Sequence, residues 1–213
     1  MIKDIYFWDY FNNLLEGNKQ KCREIVLELY NDGTDIKELY TDLMQKAMYR
    51  VGKLWEEGRL TISEEHLATK VTEYLVDSTL DIVSAPEKNG KTAVITCIDK
   101  EFHDLGARIV TNMFELNGWD TAFLGSNTPS REIIRVIEQK KPDMLGISYS
   151  LYLNHLRFME LMGLISKKFP DLKILIGGQG LNNSDPAVLE SYTNAVYITS
   201  LYQLDEIIKN SSK

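Results

Sequence analysis

The stretch that decides the fold is residues 92–116, TAVITCIDKEFHDLGARIVTNMFEL. Its first seven residues are an apolar run rich in β-branched side chains, which predicts a buried strand. From Asp104 to Leu116 apolar residues recur with helical spacing. The connecting loop carries a carboxylate, a histidine and a glycine in the pattern Glu101-x-His103-x-x-Gly106. The segment therefore reads as the first half of a β-α-β unit with polar residues at the strand end.

The same alternation continues to the end of the chain. Five strand-like runs are predicted: Thr92–Ile98, Thr121–Leu124, Met144–Ser148, Ile174–Ile176 and Ala195–Thr199. Five helix-like stretches follow them: Asp104–Leu116, Ser130–Gln139, His155–Phe169, Pro186–Glu190 and Leu201–Lys209. Strands joined by helices pair in parallel through right-handed crossovers. We predict an α/β domain over residues 91–213, a flavodoxin-like (Rossmann-like) five-stranded parallel sheet covered on both faces, with ligand chemistry at the carboxyl ends of its strands.

Residues 1–85 follow a different period, with apolar residues recurring at intervals of three and four. Four helices are predicted: Ile5–Leu15, Cys22–Tyr30, Ile36–Trp55 and Leu67–Val83. The segments Asp35–Glu38 and Thr61–Glu64 resemble capping boxes at two helix starts. We predict an N-terminal four-helix bundle, joined to the α/β domain by the polar linker Ala85–Gly90.

Composition narrows the class of protein. The 213 residues carry 24 Lys and Arg against 31 Asp and Glu, a formal net charge of −7, which disfavours direct nucleic-acid binding. No apolar run approaches the ~20 residues of a membrane span, and the first residues lack the order of a signal peptide. The two cysteines, Cys22 and Cys97, are far apart and match neither a zinc site nor a disulfide framework. A cytoplasmic protein with no membrane partner is expected.

His103 is the first candidate for chemistry. A histidine two residues after a carboxylate can present one ring nitrogen to a metal while the carboxylate holds the other and fixes the tautomer. The plain alternative is a surface-loop histidine. No second His or Cys stands nearby at zinc-like spacing. A metal bound by His103 would therefore arrive with most of its coordination filled, as in a macrocycle.

Small residues end the third and fourth predicted strands. Ser148 and Ser150 follow one, and Gly177-Gly178 follows the other. Such residues allow a flat or long ligand to approach the backbone. Each feature alone is ordinary turn chemistry. Together with the histidine loop they fall on one rim of one sheet, which favours a ligand site there.

These residues resemble a known signature. Glu101-x-His103-x-x-Gly106, Ser148 and Gly177-Gly178 are similar to the DxHxxG, SxL and GG motifs of cobalamin-binding domains of the methionine synthase type. Glu101 replaces the usual Asp and keeps the carboxylate. Ser150 stands where the Leu of SxL is usual and weakens the expectation for packing of the nucleotide tail.

The resemblance implies a base-off/His-on cobalamin site. His103 would replace the cofactor's dimethylbenzimidazole as lower axial ligand of cobalt, with Asp104 and Leu105 in the same cofactor-binding loop. Ser148 and the Gly177-Gly178 turn would line the slot for the displaced tail. Asn154 would lie near the hydroxyl that completes the histidine relay in methionine synthase.

The helical half carries a second resemblance. Trp55, nine further residues and then Glu65-His66 are similar to the cap of adenosylcobalamin-binding photoreceptors of the CarH and LitR kind. The plain alternative is a core Trp and a helix-start Glu. The resemblance implies that residues 1–85 cover the upper cobalt face, with Trp55 over the upper ligand and Glu65 and His66 bonding its ribose or adenine. Glu56 stands where those photoreceptors have a cobalt-capturing histidine, so no bis-histidine product is expected.

Two functions compete. The leading one is a free-standing cobalamin sensor, responsive to light or to cofactor state, that holds adenosylcobalamin and lacks the photoreceptors' DNA-binding domain. The alternative is a corrinoid carrier that uses methylcobalamin and shuttles a methyl group for a methyltransferase system; the small subunit of a mutase is a weaker third. No independent catalytic set is evident, so any catalysis would be the cofactor's. The expected partners are cobalamin and either a second copy of the chain, through the aromatic start Tyr6–Phe11, or a signalling or methyltransferase protein.

Overall fold

The chain divides into two units, Met1–Val83 and Ser84–Lys213. The computed structural model describes residues 2–83, 86–181 and 186–212. Ala85, at the start of the predicted linker, lies outside the described residues. The two units are described in turn.

The first unit is helical, as predicted. Its elements are α1 (Asp4–Leu15), α2 (Lys19–Asn31), α3 (Ile36–Glu38), a π-helix (Leu39–Gln45), α4 (Lys46–Glu56), α5 (Ile62–Asp77) and α6 (Thr79–Ile82). The predicted helix Ile36–Trp55 is thus the run α3, π-helix and α4. In α1 the residues at i, i+3, i+4 and i+7 are buried, namely Phe7, Tyr10, Phe11 and Leu14. Most of the aromatic start therefore belongs to the core of its own unit.

The π-helix interrupts a helix that the sequence pattern predicts as uniform. In the π-helix, hydrogen bonds run from i to i+5 and each turn takes up an extra residue. Two adjacent apolar pairs, Leu39–Tyr40 and Leu43–Met44, are buried there. The extra residue is taken up within this segment, and both pairs stay in the core.

The predicted caps differ in kind. Thr61 and Glu64 form the predicted capping box, with Thr61 N–H donating to Glu64 Oε2 at 2.7 Å and Glu64 N–H to Thr61 Oγ1 at 3.3 Å. Asp35 instead accepts from the N–H of Lys37, two residues on, at 2.8 Å. It is therefore a simple N-cap.

The second unit is the predicted parallel sheet. Its strands are β1 (Thr92–Cys97), β2 (Asp120–Phe123), β3 (Met144–Ser148), β4 (Lys173–Gly177) and β5 (Ala195–Tyr197). All neighbouring strands pair in parallel in the order β2-β1-β3-β4-β5. The helices are α7 (Leu105–Glu115), α8 (Ser130–Lys140), α9 (His155–Lys168) and α10 (Leu201–Ser211), with 3₁₀ turns at Tyr152–Asn154 and Pro186–Leu189. The stretch predicted as a fourth helix over Pro186–Glu190 is thus only a 3₁₀ turn.

Alternate residues of the central strands face the two sides of the sheet. On one side the strands pack on α8 and α9 in a cluster that includes Val94, Leu145, Ile147, Ile133 and Phe158. On the other side α7 contacts β1, β2, β3 and α10. Every residue of β3 is buried, as expected for a central strand of a covered parallel sheet. The sheet is thereby a rigid base for the loops at its carboxyl rim.

Among the described helices, none has the length and apolar character needed to span a bilayer.

Candidate functional site

The candidate site lies where the strand order reverses. From β1 the chain passes to β2 on one side, and β3 then lies on the other side of β1. The carboxyl ends of β1 and β3 consequently border a crevice, which is the usual ligand position in open α/β sheets. The Glu101–His103 loop follows β1 and the Ser148–Leu151 segment ends β3, so the fold brings two of the predicted motifs to one place.

Glu101 ties the two loops together. Its side chain is fully buried. Oε1 lies 2.6 Å from His103 Nδ1 and accepts the backbone N–H of His103 at 3.0 Å. Oε2 accepts the backbone N–H groups of Ser150 and Leu151, both at 2.9 Å. One carboxylate thus orients the histidine and fixes the loop after β3 beside it.

The charge of Glu101 follows from these contacts. Burial raises the pKa of this carboxyl, but the hydrogen bonds from His103, Leu151 and Ser150 outweigh burial and lower the pKa to about 2. An ionised carboxylate only accepts hydrogen bonds, so the Nδ1 of His103 carries the proton. Nε2 is then the ring nitrogen with a lone pair for a metal. The His103 side chain is 63% exposed, as a ligand to an incoming group must be.

Two asparagines brace the same loop. Lys100 has a left-handed backbone with φ of 62°. Its N–H donates to Asn127 Oδ1 at 2.9 Å, and its carbonyl accepts from Asn154 Nδ2 at 3.1 Å. The N–H of Asn127 donates in turn to the carbonyl of Glu101 at 2.7 Å. Asn154, predicted near the histidine relay, contacts this loop through the Lys100 carbonyl.

The remaining residues of the histidine loop start α7. Asp104 pairs with Arg108, one turn on, through contacts of 3.2 Å from each carboxylate oxygen. Leu105 is the first residue of α7. At Gly106 an added Cβ would meet no atom within 4 Å, so the helix start is open there.

The predicted small residues meet at the ends of β3 and β4. Ser148 is buried and pairs in register with Gly177. A Cβ on Gly177 would meet nothing within 4 Å, which leaves room for a ligand. Gly178 has φ of 94°, and a Cβ there would lie 2.3 Å from the carbonyl oxygen of Tyr149, so the turn itself requires glycine at this position. Ser150 contributes its N–H to Glu101.

The predicted residues of the helical unit lie on either side of the Gly58 turn. Trp55 is near the end of α4 and is 46% exposed. Glu65 and His66 lie in the first turns of α5. Glu65 Oε1 accepts from Thr69 Oγ1 at 2.7 Å, and the His66 Nε2 lies 3.6 Å from Glu65 Oε2. Glu56 is exposed beside Trp55.

Sequence reasoning missed three partners of the histidine loop. They are the N–H groups of Ser150 and Leu151 and the side chain of Asn127. Backbone donors carry no side-chain signal. Asn127 stands in a Gly-Ser-Asn-Thr-Pro loop that reads as ordinary turn chemistry.

The donor set fits a macrocyclic metal. The rim presents one exposed imidazole, oriented by a buried carboxylate, next to a strip of small residues with open space at Gly106 and Gly177. Among residues 2–83, 86–181 and 186–212, no group of three or more His, Cys, Asp and Glu side chains could hold a metal ion. One axial ligand and a slot are what a corrin with a displaced tail requires.

Comparisons with known proteins agree with the geometry. Fold and site together define an α/β domain with a candidate corrinoid site at the carboxyl rim of its sheet. One family model described as "B12 binding domain" matches residues 91–204, and a second model of the same description matches residues 9–78. The chain belongs to the B12 binding domain family and binds cobalamin.

Curated relatives fall into two groups. The methanol–corrinoid protein of Methanosarcina barkeri is 22% identical over 84% of this chain and 70% of its own length. The HTH-type transcriptional repressor CarH of Myxococcus xanthus is 26% identical over 51% of this chain and 36% of its own length. Dimethylamine corrinoid protein 1 of Methanosarcina acetivorans is 24% identical, with 54% of each chain covered. The matched regions therefore span about a third to about two thirds of these relatives.

Solved structures support the fold across the whole chain. The monomethylamine corrinoid protein of Methanosarcina barkeri superposes with a TM-score of 0.82 at 16% identity, covering 99% of this chain and 100% of that one. The methanol:cobalamin methyltransferase complex of the same organism gives a TM-score of 0.52 at 19% identity, covering 99% and 81%.

Proposed function

We propose that the chain holds cobalamin base-off/His-on, with His103 Nε2 as the lower axial ligand in place of the cofactor's dimethylbenzimidazole. The observation that carries this proposal is the 2.6 Å contact between His103 Nδ1 and the buried Glu101 carboxylate. It fixes the ring tautomer and makes the opposite nitrogen a better donor. Ser148 and Gly177 line the slot for the displaced tail. When bound, cobalamin supplies a cobalt–carbon bond; the protein contributes ligation and orientation.

We further propose that the upper ligand is adenosyl and that the protein is a sensor module responding to light or to loss of that ligand. Trp55, Glu65 and His66 recognise the adenosyl group, the indole through its ring face and the other two by hydrogen bonds. The exposure of Trp55 and of His66 supports a binding role over a core role. A ligand shifts an equilibrium only by its different affinities for two states, and loss of the adenosyl group supplies that difference.

A methyl carrier is the second candidate. The likeness to a monomethylamine corrinoid protein extends over nearly all of both chains, and the methanol–corrinoid relative matches 84% of this chain. In this function the bound form is methylcobalamin and the partner is a methyltransferase protein. Glu65 and His66 speak against it, because a methyl group offers neither side chain a hydrogen bond.

The test is reconstitution in the dark with adenosylcobalamin or methylcobalamin, followed by visible spectroscopy before and after a green-light pulse. Free cofactor treated identically is the control. We expect a histidine-ligated spectrum with adenosylcobalamin that light converts to a stable protein-bound product. Uptake of methylcobalamin alone would overturn the sensor and support the carrier. A base-on spectrum with both cofactors would overturn ligation by His103.

A further inference from the structure

The loop that carries the proposed cobalt ligand contains a disfavoured backbone. Lys100 has φ of 62°, a left-handed conformation that side chains with a Cβ seldom adopt. Its own side chain is exposed. Such a conformation persists only where the surroundings determine it.

The surroundings here are two side-chain amides from two other loops. Asn127, in the loop after β2, accepts the Lys100 N–H, and Asn154, in the 3₁₀ turn after β3, donates to the Lys100 carbonyl. Asn154 is buried, with 5% exposed. These bonds hold the peptide groups on both sides of the Lys100 Cα.

The bracket that Asn127 and Asn154 form around Lys100 extends directly into the site. Asn127 donates its own N–H to the carbonyl of Glu101, the residue after Lys100. Asn127 is itself left-handed, with φ of 51°, a conformation that asparagine tolerates better than most residues. The direction in which the chain leaves Lys100 sets where the Glu101 carboxylate and the His103 ring begin. Asn127 and Asn154 therefore act on the proposed ligand through the backbone.

We infer that Asn127 and Asn154 are positioning residues for His103: together they hold Lys100 in its left-handed conformation and so keep the Glu101–His103 pair oriented for cobalt. The inference rests on the proposed function, in which His103 is the lower ligand.

The variants distinguish the effect of the Asn127 side-chain amide from the effect of the left-handed conformation of Lys100. Asn127→Gly removes the acceptor oxygen and still permits positive φ. Asn127→Asp keeps an acceptor at the same position and is the matched control. Lys100→Gly removes the free-energy cost of the left-handed conformation at this position, because glycine populates positive φ freely. The double variant Lys100→Gly/Asn127→Gly should therefore recover what Asn127→Gly loses.

Two readouts follow His103 in the full chain. In the cofactor-free protein, a long-range ¹H–¹⁵N spectrum reports the tautomer of the ring. In ¹⁵N-labelled protein loaded with unlabelled cob(II)alamin, a doublet splitting of the EPR signal reports cobalt with histidine bound, because the cofactor's own ¹⁴N base gives a triplet. Losing one hydrogen bond corresponds to about a fivefold change in an equilibrium. We expect Asn127→Gly to raise the ratio of His-off to His-on cobalt about fivefold. In the cofactor-free protein, the same variant should populate the Nε2–H tautomer beside the Nδ1–H tautomer. Asn127→Asp and the double variant should stay near wild type in both readouts.

The outcomes are distinguishable. If wild type shows no ¹⁵N doublet, ligation by His103 fails, and the tautomer in the cofactor-free variants still decides the positioning role. If wild type is His-on and Asn127→Gly matches it, the inference is wrong while the proposed function stands. If Lys100→Gly does not restore the double variant, the bracket does not act through the left-handed conformation and the inference is wrong. Should Asn127→Gly fail to fold, Asn154→Asp, which loses the donor, is measured in its place with the same expectations.

Discussion

The rim of the sheet and the Trp55–His66 segment of the helical unit hold their candidate residues in opposite ways. At the rim, hydrogen bonds join residues far apart in sequence: Glu101 to Leu151 spans 50 residues and Asn154 to Lys100 spans 54. In the helical segment the bonds span three or four, from Thr61 to Glu64 and from Thr69 to Glu65. The geometry of the rim therefore exists only in the folded sheet unit, whereas the geometry of the helical segment depends mainly on formation of helix α5 itself.

Two sites built so differently should fail differently. A change at the buried Glu101 of the rim should cost both ligation and the stability of the unit around it, whereas a change at the exposed His103 should cost ligation alone. A change in the helical segment should alter ligand preference with little effect on stability. The following predictions test this contrast.

The largest effect is expected from His103→Ala. Because the ring is mostly exposed, the fold should remain while the His-ligated cobalamin spectrum is lost and affinity falls by more than about tenfold. Visible spectra and titration of the reconstituted protein measure both. His66→Ala, at an exposed histidine of the helical unit, is the control and should keep lower ligation. Unchanged spectra in His103→Ala would disprove the axial assignment.

Glu101→Gln should destabilise the sheet unit by about 3 kcal/mol, since the amide presents donors toward N–H groups that lose a charged acceptor. Urea unfolding of the full chain measures the loss. Glu65→Gln is the matched change in the helical unit. It should cost under about 1 kcal/mol, because an amide oxygen still accepts from Thr69 Oγ1. Equal losses would remove the contrast between the two regions.

Trp55→Ala should weaken adenosylcobalamin about tenfold and leave methylcobalamin unchanged, because the indole face covers only the larger ligand. Isothermal titration with both cofactors in the dark gives the two affinities. The control is Trp8→Ala, since Trp8 is 43% exposed, close to the 46% of Trp55, yet contacts Phe11 and Arg50 within its own unit. Equal weakening of both cofactors by Trp55→Ala would favour the methyl carrier.

The smallest effect concerns pH. Burial raises the pKa of the Cys22 thiol in the helical unit to about 12, above its ordinary value of 9.0. Its contribution to stability is thus fully present below pH 9 and is lost as pH rises toward 12. Urea unfolding should show a loss of about 1 kcal/mol from this thiol between pH 8 and pH 10. Burial also raises the pKa of Tyr10, so Cys22→Ala should reduce the slope without abolishing it. An identical slope in Cys22→Ala would contradict the assignment.

Much of the fold can be predicted from local patterns in the sequence. Strand β3 has the bounds that its apolar run predicts, and the other strands differ by one or two residues at one or both ends. The π-helix and the 3₁₀ turn at Pro186–Leu189 could not be predicted from the sequence, because both depend on tertiary packing of short segments. The spacing of apolar residues does not distinguish either element from an α-helix.

In the candidate site too, contacts within one loop could be predicted and contacts between loops could not. The contact between Glu101 and His103 follows from a separation of two residues on one loop, and the structure brings the pair together. Their role toward cobalt stays a prediction. The contacts of Glu101 with Ser150 and Leu151 could not be predicted, since they depend on β1 and β3 being neighbours and on backbone donors that every residue carries. The close approach of Gly178 to the Tyr149 carbonyl could not be predicted either, and the role of Gly178 toward cobalamin stays a prediction.

The π-helix has a consequence for comparing this chain with its relatives. In a uniform α-helix, each residue added or removed turns everything after it by about 100° around the axis. The wider turn of the π-helix takes up one residue more and so offsets most of that rotation. A relative with one residue fewer between Leu39 and Gln45 could therefore form an uninterrupted α-helix and keep the counterpart of Trp55 on the same side. An alignment gap in this stretch is then compatible with unchanged neighbours further along the helix.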